Sequence, residues 1–337
     1  MVPSYAYGID LGTSNIKIYS LADDSILIEK NMIAIENKKN VFAYGNSAYE
    51  MYEKAPANIR ISNPLTNGVI ADINNMERLV KFFISDISKG GLKPADFYIA
   101  VPTDITEVEK RAFYDLIKEA NVKARKIMVV EKAVADGLGM DIDVKNSQGV
   151  LVVDIGYDTT EVSILSLGGI VLSRLIKTGG LKFDEAIRQA VRREYNLLIG
   201  QKTAEGIKKS LGALEKEGKG AIVYGRDIVV GLPVEREIPT SLVNSCLEEH
   251  FNTIIDSIKV ILERTPPELG ADIFRHGVYL TGGASQVSHF AELVNQSTGL
   301  KVNLAQRPME SVVLGMARIL KDDNYKSVAY AIEGMGK

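Results

Sequence analysis

Two stretches of the chain combine an acidic residue with glycine in a pattern that suits phosphate chemistry. The first ends an apolar segment with Asp10, Gly12 and Thr13, and the second ends another with Asp154 and Gly156. Glycine lets backbone N–H groups point together at an anion, and an aspartate at a strand end can hold a hydrated divalent cation. Two such turns facing each other would hold the phosphates of a nucleotide from both sides. The alternative is a pair of ordinary β-hairpins with polar turns.

A third glycine loop, with the pair Gly282-Gly283, follows the apolar segment 278–280 and precedes a helix predicted to start near Val287. The N–H groups in the first turn of a helix have no partner inside the helix, so they suit a phosphate or an adenosine. Alone, two glycines between a strand and a helix indicate a plain turn. As the third glycine loop of a suitable kind, they favour a nucleotide site.

The length and composition limit which classes of protein the chain can belong to. The 337 residues indicate about two domains, and the 46% hydrophobic and 25% charged residues are typical of globular proteins. With a net charge of −3, the chain has no field that attracts nucleic acid, and none is expected as a partner. The single Cys246 excludes an internal disulfide framework, and three scattered histidines leave no zinc cluster.

No apolar run approaches the roughly 18–20 residues of a membrane span, and the opening residues leave no room for a signal peptide. We expect a soluble intracellular protein.

The hydrophobic pattern predicts the same α/β plan twice: a three-stranded meander, then strand–helix units with parallel strands covered by helices. We predict a first domain over residues 1–147 with an inserted lobe at about 31–73. The second domain covers 148–305 with an inserted lobe at about 183–240, and a C-terminal helical segment at about 306–337 completes the first domain.

Three local patterns are specific enough to test. Apolar residues at helical spacing predict a helix over 74–88. Thr106 followed by Glu109 is a capping-box pattern, which predicts a helix start. The segment 221–230 predicts a hairpin that turns around Gly225-Arg226.

With these motifs in place, the sequence resembles the actin/Hsp70/sugar-kinase superfamily and, within it, the MreB group of bacterial actins. The first phosphate motif is Gly8–Asn15, and matches extend from about Tyr7 to Leu320. The longer and more specific matches are Gly68–Asp72, Ile105–Arg111, Arg193–Gly200, Thr203–Glu205 with Ile207-Lys208, and Thr265–Leu269. The resemblance implies duplicated actin-like (ribonuclease H-like) domains, each with an inserted subdomain, around a central ATP cleft. It also implies protofilaments that support rod-shape control and cell-wall synthesis.

The resemblance also implies roles for single positions. Asp10 and Asp154 fall where the family holds hydrated Mg²⁺, and Thr159 falls near the γ-phosphate as a catalytic residue. For Glu205 and Lys208, a solvated helical face with charges at i and i+3 is the alternative. The implied ATP- or ADP-binding positions are Gly12, Thr13, Ser14, Asn15, Gly156, Tyr157, Asp158, Thr159, Gly180, Glu205, Lys208, Lys209, Gly282, Gly283, Ala284 and Ser285.

The chain departs from the family pattern in residues that bear on hydrolysis. In the second phosphate loop, Tyr157 and Asp158 replace two glycines, and a carboxylate there would repel a γ-phosphate. After Val130 the family usually has Glu-Glu-Pro, with the second glutamate orienting the attacking water, but here Lys132 holds that position. Lysine cannot orient the water as a carboxylate does. We therefore expect a Lys132–Asp158 salt bridge, with a one-residue slip that makes Glu131 catalytic as the weaker alternative.

A further departure follows the third strand of the second half, where Gly180-Leu181-Lys182 stands in place of Gly-Asp-Glu and removes another cleft carboxylate. Losing a water-positioning group typically costs about 10²–10⁴ in rate. The chain is therefore expected to be at most a weak ATPase, with slow or absent hydrolysis.

The resemblance implies self-assembly, contact with cell-shape membrane proteins and related actin homologues, and a cytoplasmic location at the inner face of the membrane. Leu92, flanked by Lys89 and Lys93, could touch the membrane surface weakly, although a plain solvated loop is the alternative.

Two other functions are alternatives for this sequence. One is a non-hydrolysing scaffold paralogue that co-assembles with an active relative. The other is a chaperone-like or kinase-like member of the superfamily. A chaperone needs a peptide-binding domain, for which the 17 residues after Leu320 are too few, and the catalytic aspartate of a sugar kinase has no candidate position.

Overall fold

The structure, a computed structural model, describes residues 5–89 and 91–332 of the chain. The strands of the first half are β1 (Ala6–Leu11), β2 (Asn15–Ser20), β3 (Ser25–Lys30), β4 (Ile33–Glu36), β5 (Asn40–Tyr44), β6 (Ile59–Ser62), β7 (Leu65–Thr66), β8 (Val69–Ile70), β9 (Ala95–Val101) and β10 (Ala124–Glu131). The helices of this half are α1 (Gly45–Met51), α2 (Ile73–Ile87), α3 (Glu107–Glu119) and α4 (Lys132–Gly139).

The second half follows the same plan. Its strands are β11 (Val150–Ile155), β12 (Thr160–Ser166), β13 (Gly169–Ile176), β14 (Leu197–Leu198), β15 (Ala221–Asp227), β16 (Pro233–Ile238), β17 (Val278–Thr281) and β18 (Val302–Leu304). Its helices are α5 (Gly180–Tyr195), α6 (Gln201–Glu217), α7 (Thr240–Glu263), α8 (Pro267–His276), α9 (Phe290–Thr298) and α10 (Ser311–Lys321), with 3-10 turns at Gly283–Gln286 and Asp323–Val328.

The two five-stranded sheets have the same strand order and strand directions. The first sheet runs β10-β9-β1-β2-β3, and the second, taken from the equivalent edge, runs β18-β17-β11-β12-β13. In each, the central strand is antiparallel to its hairpin partner (β1 to β2, β11 to β12) and parallel to a strand on its other side (β9 or β17). The predicted duplicated α/β fold is therefore confirmed. Because the carboxyl ends of β1 and β11 carry the two Asp-x-Gly turns, the duplication places both turns at equivalent positions.

Each half also carries a smaller three-stranded sheet, β5-β4-β6 in the first and β14-β15-β16 in the second. These sheets lie within the segments predicted as inserted lobes, while the division of the chain into domains stays a prediction. The predicted hairpin turn at Gly225-Arg226 is wrong, because both residues lie within β15. The chain turns over 228–232 instead, where the Asp227 carboxylate accepts hydrogen bonds from the N–H groups of Val229 (2.8 Å) and Val230 (3.0 Å).

Helix α10 returns the chain to the first half and crosses α4 at very short range. A Cβ on Gly315 would lie 1.8 Å from the Ala135 carbonyl oxygen, and one on Gly139 would lie 1.8 Å from the Ser311 carbonyl oxygen. Two reciprocal glycines therefore allow the backbones to touch. This contact fixes the first turn of α4, which carries Lys132, against the rest of the molecule.

Side-chain caps or a proline mark the first residues of α2, α3 and α8. The predicted capping box is confirmed at α3: Glu109 N–H donates to Thr106 Oγ1 (3.2 Å), and Thr106 N–H donates to Glu109 Oε2 (2.8 Å). Helix α2 is capped by Asp72, whose side chain accepts from Asn75 N–H (3.1 Å). Pro267 both follows α7 and opens α8, a helix that the sequence pattern did not predict. Across the described ranges, none of the helices has the length and apolar character needed to cross a membrane.

Candidate nucleotide-binding cleft

A cavity of about 490 Å³ lies between the two large sheets. This volume is in the usual range for small-molecule sites. Residues of all three glycine loops line it: Gly12–Asn15 after β1, then Gly156, Tyr157 and Thr159 after β11, and Gly282–Ala284 after β17. The convergence of these loops, which are far apart in sequence, agrees with the site predicted from their pattern.

The first glycine loop is held by its own backbone and by two asparagine side chains. Gly12 N–H donates to the Asn15 carbonyl (3.1 Å), and a Cβ on Gly12 would lie 2.7 Å from that oxygen, so the turn requires glycine. The amide of Asn31 donates to the Gly12 carbonyl (3.0 Å), and that of Asn63 donates to the Thr13 carbonyl (2.6 Å). With these carbonyls occupied, the loop is rigid where it faces the cavity.

The second glycine loop is joined to the start of α5. Gly156 N–H donates to the Thr159 carbonyl (2.9 Å), which closes the turn. Gly180 N–H donates to the Gly156 carbonyl (3.0 Å), and Leu181 N–H donates to the Tyr157 carbonyl (2.7 Å). Helix α5 therefore begins at Gly180, inside the cleft. The Tyr157 side chain and Thr159 also line the cavity.

Asp158 faces away from the cavity. Its carboxylate accepts a hydrogen bond from the N–H of Asn67 (2.8 Å), which lies in the β7–β8 turn with a φ of 51°. Burial raises the pKa of Asp158 above its usual value. Asp158 is not among the lining residues, and the expectation that it pairs with Lys132 is wrong; that it binds nucleotide stays a prediction. The neighbouring hairpin supplies the partner instead.

Lys132 points into the cleft and pairs with two other carboxylates. Its ammonium lies 2.6 Å from Asp154 Oδ2 and 3.8 Å from Glu161 Oε1. Although burial alone would lower the pKa of Lys132, Asp154 and then Glu161 raise it well above its usual value. The side chain is therefore a fixed cation on the cleft floor. Glu161 is held further by Thr103, whose N–H and hydroxyl donate to Oε2 at 3.1 and 3.0 Å.

The other aspartate assigned to hydrated Mg²⁺ has the same kind of partner. Asp10 Oδ2 lies 2.6 Å from the ammonium of Lys17, and both side chains are buried. In the part of the chain that the structure describes, no three His, Cys, Asp or Glu side chains are grouped to hold a metal ion. Since Asp10 and Asp154 each already bond a lysine, this donor set does not fit the Mg²⁺ ion that the resemblance implies.

Glu131 lies outside the cleft. Its Oε1 accepts hydrogen bonds from the ammonium of Lys110 (2.9 Å) and the hydroxyl of Tyr330 (2.6 Å). Its backbone ends β10, whereas the next residue opens α4, so the two side chains leave in different directions. The alternative that makes Glu131 the catalytic group is therefore contradicted.

The other end of the cavity is lined by charged residues of α6. Lys208 lies 2.7 Å from Asp184 Oδ1 and donates to the Gly180 carbonyl (3.0 Å), and it is only 8% exposed. Glu205 bonds Lys209 (2.6 Å) and accepts from the hydroxyl of Tyr49 (2.9 Å). The alternative of a solvated helical face is wrong for Glu205 and Lys208, because both face the cavity.

The third glycine loop packs closely against the end of β11, which precedes the second glycine loop. Gly282 has a φ of +85°, and a Cβ there would lie 2.2 Å from Asp154 Oδ1, so this position requires glycine. Gly283 and Ala284 line the cavity. Ser285 does not, because its hydroxyl is buried and donates to the Gly282 carbonyl (2.7 Å). Ser285 therefore shapes the loop, and its predicted role as a ligand contact is corrected.

Several lining residues were not predicted. Lys17 of β2 and Lys30 of β3 bring two ammonium groups into the cleft, and the Lys30 ammonium donates to Ser14 Oγ (3.2 Å). A lysine between Ile16 and Ile18 in an apolar strand is a sequence signal of a buried charge. Pro308, Met309 and Val312, which add apolar surface, had no comparable signal because they lie in a loop and the start of α10.

Comparisons of the sequence and of the structure with known proteins identify the same family. Residues 4–327 match the sequence profile of the family described as MreB/Mbl protein. The chain is 37% identical to the cell shape-determining protein Mbl of Bacillus subtilis, over 93% of this chain and 95% of that protein. It is 35% identical to the cell shape-determining protein MreB of Escherichia coli, over 93% and 92%. The crystal structure of Spiroplasma citri MreB5 bound to ADP is similar with a TM-score of 0.90 and 35% identity, over 96% and 98%. The AMPPNP-bound form has a TM-score of 0.89.

Proposed function

Because the chain belongs to the MreB/Mbl family of bacterial actin homologues, we propose that it binds ATP and ADP in the cleft and polymerises into filaments that support cell shape. The observation that carries the proposal is the convergence of three glycine loops on one cavity between the duplicated sheets. The ADP- and AMPPNP-bound structures of MreB5 support it, since that protein shares about a third of its residues with this chain.

The lining residues fit an adenine nucleotide in a defined orientation. The loops Gly12–Asn15 and Gly156–Thr159 face each other and receive the phosphates through their N–H groups. Glu205, Lys208 and Gly282–Ala284 surround the nucleoside. Lys30 adds positive charge beside the first loop, where its ammonium already bonds Ser14. The two aspartates that the resemblance assigns to Mg²⁺ are ion-paired with Lys17 and Lys132, so the proposed nucleotide contacts are those of the chain alone.

We propose that hydrolysis is slow. Lys132 holds the position of the water-orienting glutamate, and its ammonium is bound to Asp154 and close to Glu161. Glu131 is engaged with Lys110 and Tyr330 outside the cleft. Thr159 remains beside the phosphate position, but a hydroxyl alone is a weak base. We expect the loss of the water-positioning carboxylate to reduce the rate by about 10²–10⁴.

The filaments are proposed to lie in the cytoplasm at the inner face of the membrane, with cell-shape membrane proteins and related actin homologues as partners. Direct membrane contact is weak in this proposal. Leu92 is partly buried against the core of the first half, and the ammonium of Lys93 lies 4.5 Å from the centre of the Tyr5 ring. This leaves Lys89, with a side chain 85% exposed, as the main cation of that loop.

Three assays on the purified protein test this function. Calorimetric titration with ATP and ADP is expected to show one site per chain, and sedimentation is expected to show polymer that depends on nucleotide. Phosphate release is expected to be slow. Absence of nucleotide binding would overturn the proposal.

The ion pair of Lys132 with Asp154 favours a second candidate, a non-hydrolysing scaffold that co-assembles with an active relative. In that case, polymer would form equally with and without nucleotide, and the protein would co-sediment with the relative. Nucleotide-dependent assembly of the protein alone would exclude this candidate.

A further inference from the structure

Two buried lysines occupy the carboxylates on the floor of the cleft. The Lys17–Asp10 and Lys132–Asp154 pairs each have a nitrogen–oxygen distance of 2.6 Å. The side chains are 11% and 4% exposed in the first pair and 18% and 6% in the second. Both pairs lie in the cavity lining, beside the first and second glycine loops. They are therefore part of the surface that a bound nucleotide would meet.

A hydrated Mg²⁺ ion would meet two aspartates whose negative charge these lysines already balance. Mg²⁺ in nucleotide sites uses carboxylates that are free to accept hydrogen bonds from its water molecules or to coordinate it directly. Removing one partner from a buried ion pair leaves an uncompensated charge, which is strongly destabilising. Exchanging Lys132 for the metal would break its pairs with both Asp154 and Glu161, and Lys132 sits in the first turn of α4. That turn is held by the close contact between the Ala135 carbonyl and Gly315 of α10.

A third lysine supplies a cation that is not committed to a carboxylate. Among the described residues, the Lys30 ammonium has no acidic side chain within the 4.0 Å of an ion pair. It bonds Ser14 Oγ and lies 4.5 Å from the centre of the Tyr49 ring. Lys30, Lys17 and Lys132 thus surround the space between the first two glycine loops, so the protein itself supplies positive charge for the phosphates.

We propose that this cleft binds adenine nucleotides without a divalent cation, with the ammonium groups of Lys17, Lys30 and Lys132 providing the positive charge that Mg²⁺ otherwise brings. The proposal rests on the nucleotide binding proposed above. It goes beyond that function because it specifies the ligand as the metal-free nucleotide.

The first test compares the affinity of the wild-type protein for ATP and ADP in excess Mg²⁺ and in excess EDTA, by calorimetric titration. We expect the two dissociation constants to agree within about twofold, because the lysines already neutralise both aspartates. Weakening of about tenfold or more in EDTA would overturn the inference while leaving nucleotide binding intact. Absence of binding under both conditions would overturn the proposed function, and the inference with it.

The second test uses Lys132→Met, which keeps an unbranched side chain of nearly the same length and removes the charge. Asp154 and Glu161 would then be free, so the variant is expected to acquire Mg²⁺ dependence, with binding about tenfold weaker in EDTA than in Mg²⁺. The matched control is Lys219→Met, an exposed lysine paired with Glu217 away from the cleft. This control should behave as the wild type.

Metal binding gives a readout independent of nucleotide affinity. In electron paramagnetic resonance titrations with Mn²⁺ and ADP, we expect the free-ion signal to be unchanged by the wild-type protein and reduced by Lys132→Met. Uptake of Mn²⁺ by the wild-type protein at its nucleotide site would overturn the inference. If Lys132→Met fails to fold, the wild-type titrations with Mn²⁺ and with EDTA still decide it.

Discussion

The ammonium of Lys132 lies 2.6 Å from the carboxylate of Asp154, whereas the carboxylate of Asp158 accepts its hydrogen bond from Asn67 N–H. The two unusual charges of this cleft therefore do not compensate each other. Lys132 acts on the floor of the cavity, where it faces the position of the phosphates. Asp158 instead joins the second glycine loop to the β7–β8 hairpin of the first half. Only Lys132 bears directly on the chemistry of the cleft.

The first prediction concerns hydrolysis. Lys132→Glu restores a carboxylate at the water-orienting position, so we expect phosphate release from saturating ATP in Mg²⁺ to rise at least about tenfold. Adding Asp158→Gly should give no further gain, because Asp158 does not face the cavity. Lys219→Glu is the control for the charge change alone. If the wild-type protein already turns over at a rate that neither variant exceeds, the account of Lys132 is wrong.

The sequence was sufficient to predict the duplicated sheets and the three loops, because an apolar strand that ends in Asp-x-Gly encodes a strand and its turn together. The partner of Asp158 was not predictable in this way. Asn67 is 91 residues distant, and its N–H is available only because of how the β7–β8 turn folds. Likewise, Lys132 and Glu131 are adjacent in sequence, but only the end of β10 and the start of α4 decide which one enters the cleft.

The second prediction concerns the mouth of the cleft. The Tyr49 hydroxyl of the first half donates to Glu205 of the second half (2.9 Å), and the ammonium of Lys202 bonds the Tyr49 carbonyl. Tyr49→Phe removes the bond to Glu205, which should cost about 1.5 kcal/mol and speed nucleotide dissociation roughly tenfold. Stopped-flow release of a fluorescent ATP analogue measures the rate. Tyr52→Phe is the control, since within the described chain the Tyr52 hydroxyl has no hydrogen-bond partner. Equal release rates for both variants would show that this contact does not retain the nucleotide.

The third prediction concerns the support beneath Lys132. A Cβ on Gly315 would lie 1.8 Å from the Ala135 carbonyl oxygen, so Gly315→Ala forces α10 away from α4. Overpacking of this kind costs about 1–3 kcal/mol, and the Tm should fall accordingly. Differential scanning calorimetry measures the change. Gly270→Ala, at a helical position where a Cβ meets nothing within 4 Å, is the matched control and should leave the Tm unchanged or higher. A Gly315→Ala protein as stable as the wild type would show that the two helices separate without cost.

The last prediction concerns Asp136, a buried acid below the cleft in α4. Ser311 donates to Asp136 Oδ1 (2.6 Å), but Oδ2 is buried with no partner among the described residues. Burial, reinforced by the charge of Asp154, raises the pKa of Asp136 well above its usual value, although Lys132 opposes the shift. The folded protein therefore holds a proton that the unfolded chain releases above a pH of about 3.9. The stability that Asp136 contributes is full below that pH and is lost as the pH rises towards the raised pKa.

Asp136→Ala removes this pH-dependent loss, so at pH 8 it should stabilise the protein by about 1–3 kcal/mol, the usual cost of a buried polar group without a partner. The advantage over the wild type should shrink as the pH is lowered towards the ordinary carboxyl range. Asp136→Asn is the matched control: it keeps the shape and a polar side chain, and it should flatten the pH dependence without the full gain. Tm values of the three proteins across this pH range measure the effect. A wild-type profile parallel to that of Asp136→Asn would mean that Asp136 has the same protonation in the folded and unfolded states, against the burial and the neighbouring carboxylates seen in the structure.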